Sequence, residues 1–372
     1  MAAQAISSLG GLRLLRGISR TLELAPRTGN RLPSLRRVAQ SKYLILCYHR
    51  VGTEGIPYYS TLPVSQFEMQ MRHLRKHCRV LSLAEVVAEI QNPPARPTQA
   101  VAVTFDDGYS DLHRYALPVL KKYEIPATIY LIADCVETGQ VAWYDRIFLT
   151  LQIATGPSLA LPLQGGLPFA LGSPQQRLET AATIVSILRN TPVAQRKEVC
   201  AFLEKQVQLP AEPLAGRMLS WPQIHEMKSA GISFGAHTLS HPALGQLPQS
   251  EVERELSESR RILESRLDEP VLDLAFPFGR PEDCGPFAYQ AASRCGYRSA
   301  VTTVWGYNTP GANMHALRRV QLGEERTSAS FGLQLLQSFL HAGDSAALIA
   351  PSASLPAGAE AALTADRVLV QR

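Results

Sequence analysis

Seven short apolar runs limit most strongly what this chain can fold into: "YLILCYH" (43–49), "VAVTFDD" (101–107), "ATIYLIA" (127–133), "ISFGAHT" (232–238), "DLAFPFG" (273–279), "SAVTT" (299–303) and "LRRV" (317–320). Between them the apolar residues recur at helical spacing, as Phe67, Met71 and Leu74 do after Ser65, and Val252, Leu256, Leu263 and Leu267 do around the Ser250/Glu253 pair. Ser65 and Ser250 read as helix N-caps, the second in a capping box. Strands that are apolar almost throughout and alternate with helices predict a parallel sheet covered on both faces. The fold expected is therefore α/β, a closed or nearly closed (β/α) barrel of about seven parallel strands.

One stretch breaks that rhythm. Residues 139–219 offer "WYDRIFLTLQ", a small hairpin in "SLALPLQGGLPFAL" and a helical region from Ser173-Pro174 toward Leu209, and read as an insertion over one mouth of a main domain spanning 43–341. Ahead of that domain, residues 1–42 carry eight Arg and Lys against Glu23 alone, a local charge of +7 in a chain whose total is +5. The remainder is thus slightly acidic, which leaves nucleic-acid binding by the body of the protein without support. With Ile6, Leu9, Leu12 and Leu15 interleaved among Arg13, Arg16 and Arg20, the first segment suits a basic amphipathic helix on an anionic membrane face, or a disordered arm. Over 342–372 Ala, Ser, Pro and Gly dominate, and a flexible tail is expected. No apolar run approaches the roughly 20 residues of a membrane span and no secretory signal is recognisable, so the expected place is cytoplasmic or peripheral at the inner membrane face. Six scattered cysteines without a CxxC pair fit a reducing compartment.

In such barrels the site is built at the carboxyl ends of the strands. There the runs deliver His49, Asp106 with Asp107, His237 with His241, and Phe278 with Gly279. Adjacent carboxylates at the end of an apolar strand repel each other and lose solvation. Either both turn into water at the Asp107-Gly108 turn, or something compensates them. His49 taken alone reads as a hydrogen-bonded core histidine. The pair His237 and His241, four apart and followed by Pro242, falls on a strand end and the turn after it. Two neutral imidazoles plus one carboxylate make a facial set for a divalent ion such as zinc, cobalt or nickel.

"TFDDG" (104–108), "HTLSH" (237–241) and "AFPFG" (275–279), in that order, resemble the polysaccharide deacetylases, the NodB-homology carbohydrate esterases, over roughly residues 43–322. The resemblance implies a distorted (β/α) barrel and a metal-dependent hydrolase of carbon–nitrogen bonds other than peptide bonds. Its substrate would be an N-acetylated or N-acylated amino sugar in a polysaccharide, oligosaccharide or glycoconjugate. By matching positions it implies Asp106 as the catalytic base, and Asp107, His237 and His241 as ligands of a divalent metal, zinc first. It also implies the backbone N–H of Phe278 as an oxyanion donor.

Two positions depart from the family pattern. Ala275 stands where many members have an arginine directed at the base, and the late "LxxH" histidine is not recognisable. "CYHRVG" (47–52) resembles the exopolysaccharide-deacetylase subgroup in which an early Tyr-His supplies the acid, here His49. Arg319 or Arg280 is the expected substitute for the missing arginine. The departures leave open a non-catalytic glycan-binding pseudoenzyme, and the insertion and basic segment leave open a deacylase of a lipid-linked or small sugar.

Overall fold

The computed structural model describes residues 40–53, 61–162, 166, 168–208, 216–322 and 327–340; the expectations made for the basic segment before 40 and for the tail lie outside the described residues. The chain runs β1 (Lys42–Tyr48), α1 (Val64–His77), α2 (Leu83–Gln91), β2 (Gln99–Phe105), α3 (Leu117–Tyr123), β3 (Ala127–Leu131), α4 (Ala133–Thr138) and α5 (Trp143–Ile153). The ribbon β4 (Ser158–Ala160) with β5 (Pro168–Ala170) follows, then α6 (Pro174–Arg189), α7 (Val193–Val207) and α8 (Trp221–Ser229). The barrel resumes with β6 (Ser233–Ala236), α9 (Gln249–Leu267), β7 (Asp273–Ala275), α10 (Pro281–Arg294), β8 (Ser299–Trp305) and β9 (Leu317–Gln321), and α11 (Ser328–Leu340) packs outside it.

The seven barrel strands lie in the order β1, β2, β3, β6, β7, β8, β9, every neighbouring pair parallel. Closure is made where Leu46 and Cys47 of β1 face Val320 and Gln321 of β9. Side chains alternate across each strand. Leu44 and Leu46 of β1 and Val101, Val103 and Phe105 of β2 pack outward into the helices, in the cluster that also holds Phe67, Met71, Leu256 and Phe331. Tyr43, Ile45, Ala100, Ala102, Tyr130, Ala275, Val301 and Leu317 fill the interior, joined by Val86, Val87 and Ile90 of α2. A third cluster joins α5, α6 and α7 through Ile147, Phe148, Leu151, Ile184, Leu188 and Leu203, and takes in Tyr109 from the loop after β2.

Several boundaries differ from the sequence reading. Helix α1 starts at Val64 with Pro63 as N-cap, and α9 at Gln249 with Pro248 as N-cap, so neither Ser65 nor Ser250 caps by its side chain. A proline with its φ locked and its ψ extended leads the chain directly into a helix, one residue or more ahead of the serine. The helical region after Ser173 is two helices, because Pro192 cannot continue the first. Its start is as expected, with Ser173 and Gln176 in a reciprocal capping box. Among the described residues no helix is long and apolar enough to cross a membrane.

Candidate active site

The inward series of β2, Ala100, Ala102 and Thr104, continues one step past the strand to Asp106, and that of β1 continues past Cys47 to His49. On β9 the inward position beyond Leu317 is Arg319. Alternation therefore brings three groups from three strands into one small interior. Arg319, 1% exposed, donates to both oxygens of Asp106, Nη1 to Oδ1 and Nη2 to Oδ2, each at 2.7 Å. Its Nε donates to the Thr302 carbonyl at 2.8 Å, which fixes the plane of the guanidinium. Ala275 contributes only a methyl group to the same interior. Arg280 is exposed at the N-cap of α10, its backbone N–H donating to Asp283 Oδ2 at 3.3 Å. Burial, the largest single effect, would raise the Asp106 carboxyl, but the charge of Arg319, then His237, the Arg319 hydrogen bonds and His49 together outweigh it and hold the group well below the ordinary range.

Asp107 would point the other way on a regular strand. The backbone instead turns into the left-handed region, with φ 71° at Asp107 and 82° at Gly108. A side chain at 108 would meet Leu131 Cδ2 at 2.7 Å, so glycine is needed there on both counts. Asp107 Oδ1 then lies 3.6 Å from His237 Nε2 and 3.5 Å from His241 Nε2. Ligand atoms around one tetrahedral ion with bonds of 2.0–2.2 Å are about 3.4 Å apart. His237 Nδ1 is 2.7 Å from the Ala275 carbonyl, which puts the ring proton on that nitrogen and leaves the Nε2 lone pair toward Asp107. All three residues are at most 2% exposed.

Electrostatics separates this trio from the Asp106 pair. Burial and then the charge of Asp106 push the Asp107 carboxyl well above its usual range. Burial likewise pushes His237 down, and pushes His241 well down with His237 adding to it. Asp107 Oδ2 and His241 Nδ1 are buried without a hydrogen-bond partner among the described residues. A carboxylate that resists ionising beside imidazoles that resist protonation is a set a divalent cation reconciles, and the residues fit one. Cys47, His49 and Asp106 also lie close enough to hold an ion. There Arg319 already supplies the countercharge, and no cation is assigned.

His49 Nε2 lies 3.9 Å from Asp106 Oδ2, and burial lowers its pKa to about 4. Phe278 closes the other side, its ring 5.0 Å from that of His241 and its carbonyl accepting from Thr303 Oγ1 at 2.6 Å. Of the seven non-glycine residues with positive φ among the described residues, Glu124, Gln208 and Asp268 end helices α3, α7 and α9, where that conformation is usual. The other four, Asp107, Thr238, His241 and Phe278, are all in the three loops of this site.

Support from behind was not visible in the motifs. Glu255 of α9, 1% exposed, accepts from the backbone N–H groups of Leu239 and Ser240 at 3.0 and 2.8 Å and from Ser240 Oγ at 2.7 Å, and so anchors the turn between the two histidines. Arg196 of α7 donates to the Ser240 carbonyl at 3.2 Å and stacks over Trp143. Tyr144 of α5 donates to Asp107 Oδ1 at 2.9 Å. The buried carboxylate of Glu255 sits one turn beyond the apolar residue Val252, on the inward face of its helix, and that placement was the one available signal.

Comparison with known proteins places the chain in a family. A family model described as polysaccharide deacetylase matches residues 94–300. The Bacillus subtilis protein YxkH, which carries the polysaccharide deacetylase name, is 22% identical over 293 residues, 78% of this chain and 75% of that protein. A Staphylococcus aureus poly-beta-1,6-N-acetyl-D-glucosamine N-deacetylase is 31% identical over 119 residues, and the match spans only 40% of its length. Among solved structures, the Streptococcus pyogenes deacetylase PplD in complex with acetate superposes with a TM-score of 0.55 at 21% identity, over 81% of this chain and 99% of that one. IcaB from Ammonifex degensii gives 0.53 at 20% identity, over 81% and 98%. At such identities the structural likeness speaks for the fold.

Proposed function

The chain belongs to the polysaccharide deacetylase family, hydrolases of carbon–nitrogen bonds other than peptide bonds, and from that premise we propose that it removes N-acetyl or related N-acyl groups from amino sugars of a polysaccharide or glycoconjugate. One observation carries the reading: two consecutive carboxylates have opposite partners, Asp106 a guanidinium and Asp107 two imidazoles. Asp107, His237 and His241 would hold a divalent cation, zinc being the best match to an oxygen and two imidazole nitrogens. When bound, that ion supplies Lewis acidity toward water and the acyl oxygen.

The chain's own groups do the rest. Asp106, kept ionised by Arg319, accepts a proton from the attacking water. Arg319 also holds both carboxylate oxygens in place, so the base is oriented before substrate arrives. The backbone N–H of Phe278 donates to the oxygen on which charge develops. His49 delivers a proton to the departing amine nitrogen. Because burial keeps His49 neutral at rest, it must first gain that proton, and Asp106 Oδ2 at 3.9 Å is the group from which the water's proton reaches it. The products are acetate and a free amino sugar.

The test is acetate release from N-acetylglucosamine oligosaccharides, nucleotide sugars and lipid-linked glycans, with the zinc-loaded full chain. Release from the oligosaccharides supports the reading; binding without release from any of them would make the protein a glycan-binding pseudoenzyme. Contact of the basic segment 1–42 with an anionic membrane on the cytoplasmic side belongs to the same proposal. Equal liposome sedimentation of the full chain and a version starting at Ser41 would remove it.

A further inference from the structure

Helix α5 lies in the stretch between β3 and β6, and the three residues of its first turn each grip a different part of the site. Trp143 Nε1 donates to the His241 carbonyl at 3.0 Å. Tyr144 donates to Asp107 Oδ1 at 2.9 Å, and its ring meets that of His241 edge-on at 5.0 Å. Asp145 accepts from the hydroxyl of Tyr109, two residues past Asp107, at 2.7 Å. Successive residues on a helix project about 100° apart, and here the three reach two different loops. Trp143 is 9% exposed, and Tyr144, Asp145 and Tyr109 are fully buried.

We propose that Tyr144 and Trp143 are positioning residues of the metal centre, setting the rotation of the Asp107 carboxylate and the placement of His241. The inference rests on the ligand set proposed above. Asp107 Oδ1 is the oxygen that faces both Nε2 atoms, and it is the one Tyr144 holds. Asp107 and His241 both have positive φ, a strained conformation for residues with a side chain that persists where the surroundings hold it. Trp143 bonds the His241 carbonyl and Tyr144 the Asp107 side chain, one contact at each of these residues. A free carboxylate rotates about its last bond, and a hydroxyl donating to one oxygen removes that freedom before the ion arrives.

The experiment uses the full chain stripped of metal and titrated with zinc against a chromophoric chelator. Tyr144→Phe keeps the ring and loses only the hydroxyl; its zinc dissociation constant is expected to rise 10- to 100-fold, and excess zinc should restore most of kcat. Trp143→Phe, which removes the donor to His241, is expected to act in the same direction and serves if the first variant folds poorly. Tyr297→Phe is the control: its hydroxyl is also buried, but bonds Leu256 and Ser259 away from the site. It should lower thermal stability without changing zinc affinity. Unchanged zinc affinity in both Tyr144→Phe and Trp143→Phe would overturn the inference while leaving the ligand set intact, whereas a parent chain that binds no zinc would overturn both.

Discussion

Asp106 and Asp107 are neighbours in the chain that the fold makes into different reagents. One residue of β alternation and one positive φ separate a carboxylate on Arg319 from a carboxylate between two histidines. Their variants should fail differently. Asp106→Asn is expected to keep zinc and lose about 10²- to 10⁴-fold in kcat, the usual worth of a general base, while Asp107→Asn should lose zinc affinity and regain some activity when zinc is added. Metal analysis beside turnover checks both.

Arg319→Met should reveal what the guanidinium does. Removing one partner of a buried ion pair costs about 3–5 kcal/mol, measurable by denaturant unfolding. With Arg319 gone, burial is opposed only by His237 and His49 and the Asp106 pKa rises, so ionisation of the base is lost from the acid side upward. The ratio of kcat at pH 8.5 to kcat at pH 6 should therefore grow by about tenfold for each unit the pKa is carried above 6. A ratio equal to the parent's would detach Arg319 from the base.

Elements differ in how openly the sequence declares them. The strands were visible because most are buried on both faces and read as largely apolar runs, β9 with its two arginines being the exception, yet β2 stops at Phe105 and β7 at Ala275, one or two residues into the motifs. The rest of each motif is loop, and β pattern alone cannot say where pairing ends. The serine caps failed because a proline two residues earlier had already set the helix entry. The arginine of the site could not be chosen by motif, since Arg319 is recognised as inward-facing only once β9 has a register. Glu255, Trp143 and Tyr144 are ordinary helix residues until the loops they hold are in place.

Helix α11 offers a test at this scale. It is docked on α1 around His73, whose Nδ1 is 2.8 Å from Ser328 Oγ and whose ring packs on Phe331 and His77. Burial, with His77 adding to it, lowers the His73 pKa to about 4. The unfolded chain takes up this proton near pH 6.5, and the folded chain only near 4. Its contribution is thus complete above about pH 6.5 and shrinks as pH falls toward 4, by at most ~2 kcal/mol at pH 5 and by less in proportion as solvent screens the ring. The loss of stability between pH 7.5 and 5 should be smaller by that amount in His73→Gln, and an equal loss would show that His73 is protonated in the folded protein.

At the scale of the whole molecule, the barrel and a separate hydrophobic cluster meet at one place. The barrel presents Asp106, Asp107, His237 and His241 at the carboxyl ends of its strands, and the cluster built by α5, α6 and α7 is fastened to the same loops through Trp143, Tyr144 and Arg196. The closed barrel was legible from strand count and connection; the way the intervening helices reach back to Asp107 and His241 was not, because it depends on contacts between residues far apart in sequence. The division of labour between the two carboxylates is the centre of the account, and it is tested most directly by stoichiometric reconstitution. Zinc is added to the metal-free full chain and to its Asp106→Asn variant while bound zinc and acetate released from an N-acetylglucosamine oligosaccharide are measured together. The account predicts one zinc bound by each protein, acetate release rising with that single equivalent in the parent, and release at least about 100-fold lower in the variant. Acetate release that is independent of zinc in the parent, or near-normal in Asp106→Asn, would contradict it.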